Sequence, residues 1–129
     1  MNKVVVDTSA ILAYLFNETG AELIEQILEE SSCLISSVNY TELASKLVDK
    51  GMPIADVIVT LESLELEFIA QDSQQALINA ELRPLSKPYG LSLGDRACLA
   101  LGILNSIPVI TADRVWKEVS NEIEIQVIR

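Results

Sequence analysis

The chain has 129 residues, half of them hydrophobic, which suits a single domain (1–129) with one buried core. Its formal net charge of −10 excludes a broad basic face for sequence-independent binding of nucleic acid. Histidine is absent, which excludes imidazole acid–base chemistry and histidine metal ligands. Cys33 and Cys98 lie in apolar runs and are expected to be reduced core thiols.

Strand and helix patterns alternate along the chain. In order, the predicted elements are a strand at 4–6, helices at 10–16 and 21–30, a strand at 33–36, helices at 38–50 and 53–64, a strand at 66–70, a helix at 72–82, a loop at 83–91, a helix at 92–105, a strand at 108–111, a short helix at 113–119 and a last strand at 123–128. This alternation predicts a three-layer α/β/α sandwich around a mainly parallel central sheet. The last strand alternates in polarity, as an edge strand does.

The N-terminal segment and the apolar runs bear on location. The segment before Asp7 holds one lysine and then only three valines, which does not match a signal peptide. No apolar run approaches the roughly 18 residues of a membrane helix. We therefore expect a soluble cytoplasmic protein without a membrane partner.

Four acidic residues stand where a strand or an apolar helix begins or ends: Asp7, Glu42, Asp95 and Asp113. Ligands of open parallel sheets bind beyond the carboxyl ends of the strands. Asp7 and Asp113 follow predicted strands, and Glu42 and Asp95 lie near the starts of helices, so all four should share one rim. Carboxylates gathered there repel each other, and a divalent cation would offset that repulsion.

Each acidic residue also has an ordinary structural explanation. Asp7 and Asp113 are favourable helix N-caps, and Ser92 with Asp95 fits a capping box. At about 100° per residue, Glu42 falls opposite the apolar stripe of its helix, which is typical of a solvated side chain. The functional interpretation therefore depends on the joint placement of the four.

Four segments carry a resemblance to a known family. They are GLSLGDRACLALG at 90–102, PVITADRVW at 108–116, VVVDTSA at 4–10 and TEL at 41–43. In order and spacing they resemble PIN-domain ribonucleases of the VapC toxin type, and the similarity spans the whole chain. The resemblance implies a metal-dependent endoribonuclease that is the toxin of a toxin–antitoxin pair, with an RNA substrate, an antitoxin protein as partner and a homodimeric assembly.

The resemblance also assigns roles to residues. It implies Asp7, Glu42, Asp95 and Asp113 as the catalytic, metal-binding acids, with Ser9 and Thr111 in support. Mg²⁺ or Mn²⁺ suits these oxygen ligands, and we expect Asp7 and Asp95 to bind it directly. Glu42 and Asp113 would hold coordinated water or a second ion.

Several cations are candidates for contacts with RNA. Arg96 and Arg114 each follow a site acid and could bind phosphate, although a structural ion pair is the ordinary alternative for both. The other candidates are Lys46, Lys50, Arg83 and Lys87.

Three other functions fit parts of the pattern. A receiver-type phosphoacceptor domain needs two adjacent acids after the first strand, but Thr8 follows Asp7. A haloacid-dehalogenase-like phosphatase needs a second Asp where Ser9 stands. A catalytically silent PIN-fold protein-interaction module remains the alternative to the nuclease.

Overall fold

A computed structural model describes residues 2–120 and 122–129, in which five strands form one sheet with helices on both faces. The strands are β1 (Lys3–Val6), β2 (Ser32–Ser36), β3 (Glu67–Ile69), β4 (Val109–Thr111) and β5 (Ile125–Val127). The helices are α1 (Thr8–Leu15), α2 (Ala21–Glu30), α3 (Ser37–Asp49), α4 (Ile54–Ser63), α5 (Ser73–Glu81), α6 (Arg83–Ser86) and α7 (Leu93–Asn105), with 3₁₀ helices at Lys87–Tyr89 and Arg114–Glu118.

The sheet is parallel throughout, in the order β3-β2-β1-β4-β5. The predicted sandwich with a parallel central sheet is confirmed, and β5 lies at an edge as its alternation indicated. The first strand is central, because β1 pairs with β2 on one side and with β4 on the other. Val6 lies opposite Ile110 in this register, so the residues that follow β1 and β4 emerge side by side at one rim.

The central strands separate two apolar layers. In β1, Val5 faces one layer and Val6 the other, and both side chains are fully buried. One layer packs α1 to α4 against the sheet, and the other packs α7 and Trp116. The two cysteines are free and buried as predicted, Cys33 in the first layer and Cys98 in the second.

The 83–91 region differs from prediction. A loop is expected there because of Pro84, Pro88 and Gly90, but α6 and a 3₁₀ helix occupy most of it. Each proline stands in the first turn of its short helix, where a missing N–H breaks no hydrogen bond. Gly90, at φ 73°, ends the segment in the left-handed conformation that glycine tolerates.

Helix α7 forms part of the second layer and directs one end at the rim. Ser92 caps it, and Asp95 completes the predicted capping box by accepting from the Ser92 N–H. Residues 96–102 of this helix are all buried, which agrees with its mostly apolar sequence. None of the helices in the described ranges is long and apolar enough to cross a membrane.

Candidate active site

Asp7 lies at the centre of the rim, directly after β1. The residue is 2% exposed, and its Oδ2 accepts hydrogen bonds from Ser9 Oγ at 2.6 Å and Thr111 Oγ1 at 3.0 Å. Ser9 Oγ in turn accepts from the Ala112 N–H at 3.0 Å. These contacts tie the end of β1 to the end of β4 and fix the orientation of the Asp7 carboxyl group.

Glu42 reaches the same rim from α3. Its Oε1 accepts from Thr8 Oγ1 at 2.9 Å and from Asn39 Nδ2 at 3.1 Å. The residue is half-buried, so the alternative of an ordinary solvated glutamate does not describe it. The buried face of α3 is centred on Asn39, Leu43 and Leu47. A count of apolar residues alone leaves Asn39 out of this face. It therefore predicted that Glu42 lies farther toward solvent than the structure shows.

Gly94 is the point at which α7 meets the Glu42 side chain. A Cβ on Gly94 would collide with the carboxylate carbon and both carboxylate oxygens of Glu42. The Gly94 carbonyl also accepts from Asn39 Nδ2 at 2.9 Å. The absence of a side chain here therefore lets Glu42 lie against the start of α7, beside Asp95.

Asp95 and Asp113 complete the set. Asp95 is half-buried at the start of α7, and its Oδ2 accepts from the Ser92 N–H at 2.9 Å. Asp113 is exposed, and its Oδ1 accepts from the Val115 N–H at 3.1 Å at the start of a 3₁₀ helix. The capping roles are therefore real, and each occupies only one oxygen of its carboxylate.

That division of oxygens holds for all four acids. The oxygens bonded within the protein are Asp7 Oδ2, Glu42 Oε1, Asp95 Oδ2 and Asp113 Oδ1. The second oxygen of each carboxylate has no hydrogen-bond partner in residues 2–120 and 122–129. No Lys or Arg within those ranges forms an ion pair with any of the four. Four oxygens thus remain available to an external cation or to water.

The electrostatics show that these carboxylates influence one another. Burial raises the pKa of Asp7 to about 7; Asp95 and Glu42 add to the rise, while the hydrogen bonds from Ser9 and Thr111 oppose it. Burial also raises the pKa of Asp95, with contributions from Glu42 and Asp113. A bound cation would reverse both effects, because it favours the charged form of each carboxylate.

The raised pKa of Asp7 predicts how the metal-free protein responds to pH. Between its ordinary value of 3.8 and about 7, the unfolded chain ionises this carboxyl group while the folded chain keeps it protonated. Stability should therefore fall as pH rises from about 4 to 7, by up to about 4 kcal/mol from this group. Urea unfolding in EDTA across that range, for wild type and Asp7→Asn, measures the effect. The variant should lose most of the slope, and equal slopes would contradict the assignment.

The chemistry of these ligands suits a metal ion, although the side chains do not form a closed cage in advance. In the described part of the chain, no three acidic or cysteine side chains are gathered tightly enough to hold an ion by themselves. Binding of an ion directly by Asp7 and Asp95, with Glu42 and Asp113 holding water or a second ion, therefore stays a prediction. All-oxygen donors that leave room for water suit Mg²⁺ or Mn²⁺, which keep several waters of their own.

Of the four arginines, Arg96 is structural, and Arg114 and Arg129 border the site. Arg96 is buried, and its Nη1 donates to the Asn79 carbonyl at 3.2 Å, so the expected phosphate contact does not fit. Arg114 is exposed beside Asp113, and its Nε donates to the Arg129 carbonyl at 2.9 Å. The Arg129 guanidinium lies near Glu18, with an N–O distance of 3.6 Å. Arg114 and Arg129 line the same cavity, together with Ser9 and Asp113.

Sequence reasoning missed four residues that shape this site: Thr8, Asn39, Gly94 and Arg129. Asn39 stands three residues before Glu42, a spacing that places both on one side of a helix, and this signal could have identified it. Thr8 follows Asp7 in the Asp-Thr-Ser motif that carries part of the family resemblance. Gly94 lies in the 90–102 segment that also carries the resemblance, but its contact with Glu42 joins residues distant in sequence. Nothing local marked Arg129.

Comparison with known proteins places this geometry in a family. The family model described as "PIN domain" matches residues 4–122. Ribonuclease VapC42 of Mycobacterium tuberculosis is 31% identical over 114 residues, covering 82% of this chain and 87% of that protein. The DNA-bound VapBC structure of Salmonella typhimurium aligns with a TM-score of 0.74 at 19% identity, covering all of both chains. VapBC-5 of Mycobacterium tuberculosis, from a family of toxin-antitoxin systems, aligns with a TM-score of 0.70 at 23% identity, covering 98% and 99% of the chains. The carboxylate rim on this parallel sheet is thus that of a chain belonging to the PIN-domain family, among the VapC proteins.

Proposed function

We propose that the chain is a metal-dependent endoribonuclease and the toxin of a toxin–antitoxin pair. The observation that carries this proposal is the rim of four carboxylates, each with one unbonded oxygen, in a chain related to a ribonuclease. A purely structural set of N-caps would not require Glu42 and Asp7 to be held at the same rim by dedicated hydroxyl and amide donors.

Asp7 and Asp95 would hold the ion directly, and Glu42 and Asp113 would hold its water. Mg²⁺ or Mn²⁺ bound there supplies positive charge against the phosphodiester and makes water a better nucleophile. Ser9 and Thr111 keep the Asp7 carboxyl group in one orientation, so its free oxygen points to a fixed place. Such positioning lowers the entropic cost of reaching the reactive arrangement.

Proton transfer falls to a carboxylate, because the chain has no histidine. We assign it to Glu42, whose Oε1 is fixed by Thr8 and Asn39 while the other oxygen has no partner in the described residues. Water rather than the ribose 2′-hydroxyl attacks, so the products carry a 5′-phosphate and a 3′-hydroxyl.

A cleavage assay tests the function. Purified protein should cut single-stranded RNA with Mg²⁺ or Mn²⁺ and leave it intact in EDTA, because the carboxylates alone cannot neutralise the phosphodiester. Ligation-based mapping should find 5′-phosphate and 3′-hydroxyl ends. A 2′,3′-cyclic phosphate would contradict the attack by water. Metal-dependent binding of an antitoxin without any cleavage would support the silent interaction module instead.

The partners follow from the same relationship. The similar VapBC structures support an antitoxin protein as the partner of this chain. We further propose a homodimer working in the cytoplasm, where the RNA substrate is found. Co-expression with the protein encoded by the adjacent reading frame should suppress cleavage, and failure of every neighbouring product to do so would contradict the pairing.

A further inference from the structure

A cavity between α1 and α3 opens next to the carboxylates. It has a volume of about 400 Å³ and begins at Ser9, whose hydroxyl donates to Asp7. Leu12 and Phe16 of the α1 side form its apolar wall, and Lys46 and Lys50 of the α3 side form its cationic wall. Arg129 lies at its border and also lines the neighbouring cavity of Asp113 and Arg114. The two cavities therefore form a path that passes beside the rim.

Positive charge is concentrated along this path. The chain has nine Lys and Arg residues, and four of them line the two cavities: Lys46, Lys50, Arg114 and Arg129. Glu18 and Asp49 also line the first cavity, and Glu18 lies 3.6 Å from Arg129. In a protein with a net charge of −10, few other places could attract a phosphate chain.

Besides positive charge, a nucleotide site needs a surface for the base, and Phe16 supplies an aromatic one. The residue is 40% exposed and lines the cavity, so part of its ring is open to a ligand there. The Lys50 amine lies 5.4 Å from the ring centroid, so an aromatic surface and a cation are presented together. Single-stranded nucleic acids bind to such surfaces by stacking a base on the ring while cations contact the backbone.

We propose that this cavity is the subsite for an unpaired nucleotide of the RNA strand adjacent to the bond that is cut, an inference that rests on the proposed ribonuclease function. The base stacks against Phe16, and its phosphates lie between the two lysines and Arg129. A base within a duplex is stacked on its neighbours and cannot reach the ring, so the subsite selects unpaired RNA.

Binding measurements test the subsite independently of cleavage. Every protein carries Asp7→Asn so that RNA stays intact, which a gel verifies, and the probe is a fluorescein-labelled oligouridylate of about twelve nucleotides. Phe16→Leu should weaken binding about tenfold, because leucine keeps the apolar character but offers no ring for stacking. Phe68→Leu is the matched control: Phe68 is also exposed, at 53%, but packs edge-on against Tyr40.

The lysines are tested by the salt dependence of the same binding. The double variant Lys46→Gln with Lys50→Gln should make the plot of log binding constant against log salt concentration less steep. If both lysines contact phosphate, the slope should decrease in magnitude by about 0.7 per lysine, because a phosphate that loses its lysine keeps its counterion. The control, Lys3→Gln with Lys117→Gln, removes the same charge from surface positions outside the cavity and should keep the slope of the protein with Asp7→Asn alone.

Three results would overturn the proposal. The first is equal binding by Phe16→Leu and Phe68→Leu, and the second is no binding of the probe by any of the proteins. The third is impaired antitoxin binding in the cavity variants with RNA binding unchanged, which would assign the cavity to a protein partner. RNA binding that depends on Phe16, in a wild-type protein that cleaves nothing, would support the subsite while refuting the nuclease.

Discussion

Replacement of Asp7 by Asn should reduce RNA cleavage by about a thousandfold or more and leave the fold intact. Asn has the same shape, and its amide oxygen can still accept from Ser9 and Thr111. It cannot carry the negative charge that holds a divalent cation. Because the charged carboxylate is costly to bury and is also repelled by Asp95 and Glu42, the metal-free variant should be no less stable than wild type near neutral pH.

Cleavage rates and thermal unfolding with and without Mn²⁺ measure this prediction. Mn²⁺ should raise the melting temperature of wild type, because it binds the folded chain and relieves carboxylate repulsion, and this shift should shrink in the variant. Asp56→Asn is the matched control, since it removes the same charge from an exposed position in α4. Full activity in Asp7→Asn would remove Asp7 from the mechanism, and an unchanged Mn²⁺ shift would remove it from the metal site.

A single methyl group on Gly94 should be nearly as damaging to activity. In Gly94→Ala the new Cβ would occupy the position of the Glu42 carboxylate, which Thr8 and Asn39 hold in place. The carboxylate must then move by about an ångström or more, and displacement of that size in a catalytic group costs about a hundredfold in rate. Stability should change little, because alanine favours a helix by about 1 kcal/mol over glycine, which offsets part of the cost of displacing Glu42.

Gly102→Ala, in the same helix, gives the opposite pattern. Its Cβ would lie 2.5 Å from Val109 Cγ1 and 2.8 Å from the Ile107 carbonyl oxygen, and neither atom belongs to the site. Overpacking of this kind costs about 1–3 kcal/mol, so this variant should unfold at lower urea while its folded molecules retain cleavage. If Gly94→Ala instead lowered stability and kept its rate per folded molecule, Glu42 would have no role in positioning or chemistry.

The fold was predictable because its signals are local. The β-branched run at β1, the glycine after α3 and the capping residues of α5 and α7 each mark a boundary within a few positions. The loop prediction for 83–91 was wrong because proline was treated as a helix breaker, whereas in a first turn it is compatible with a helix.

The site was predictable only in part, because its details depend on contacts between distant residues. The four acids and the hydroxyls of Ser9 and Thr111 follow from strand ends and from the family resemblance. The sequence did not reveal that Asn39 and Thr8 share one oxygen of Glu42, since that requires α1 and α3 to be packed together. Arg96 shows the reverse case: its place after Asp95 suggested the site, but its side chain lies against α5.

The order of the strands has a consequence for how the protein acquires activity during synthesis. One of the two hydroxyls that orient Asp7 belongs to Thr111, which the ribosome adds 104 residues later, and Asp113 comes later still. Until β4 emerges, β1 at the middle of the sheet has an open edge and lacks its neighbour at the rim. The rim therefore stays incomplete until nearly the whole chain has been synthesised.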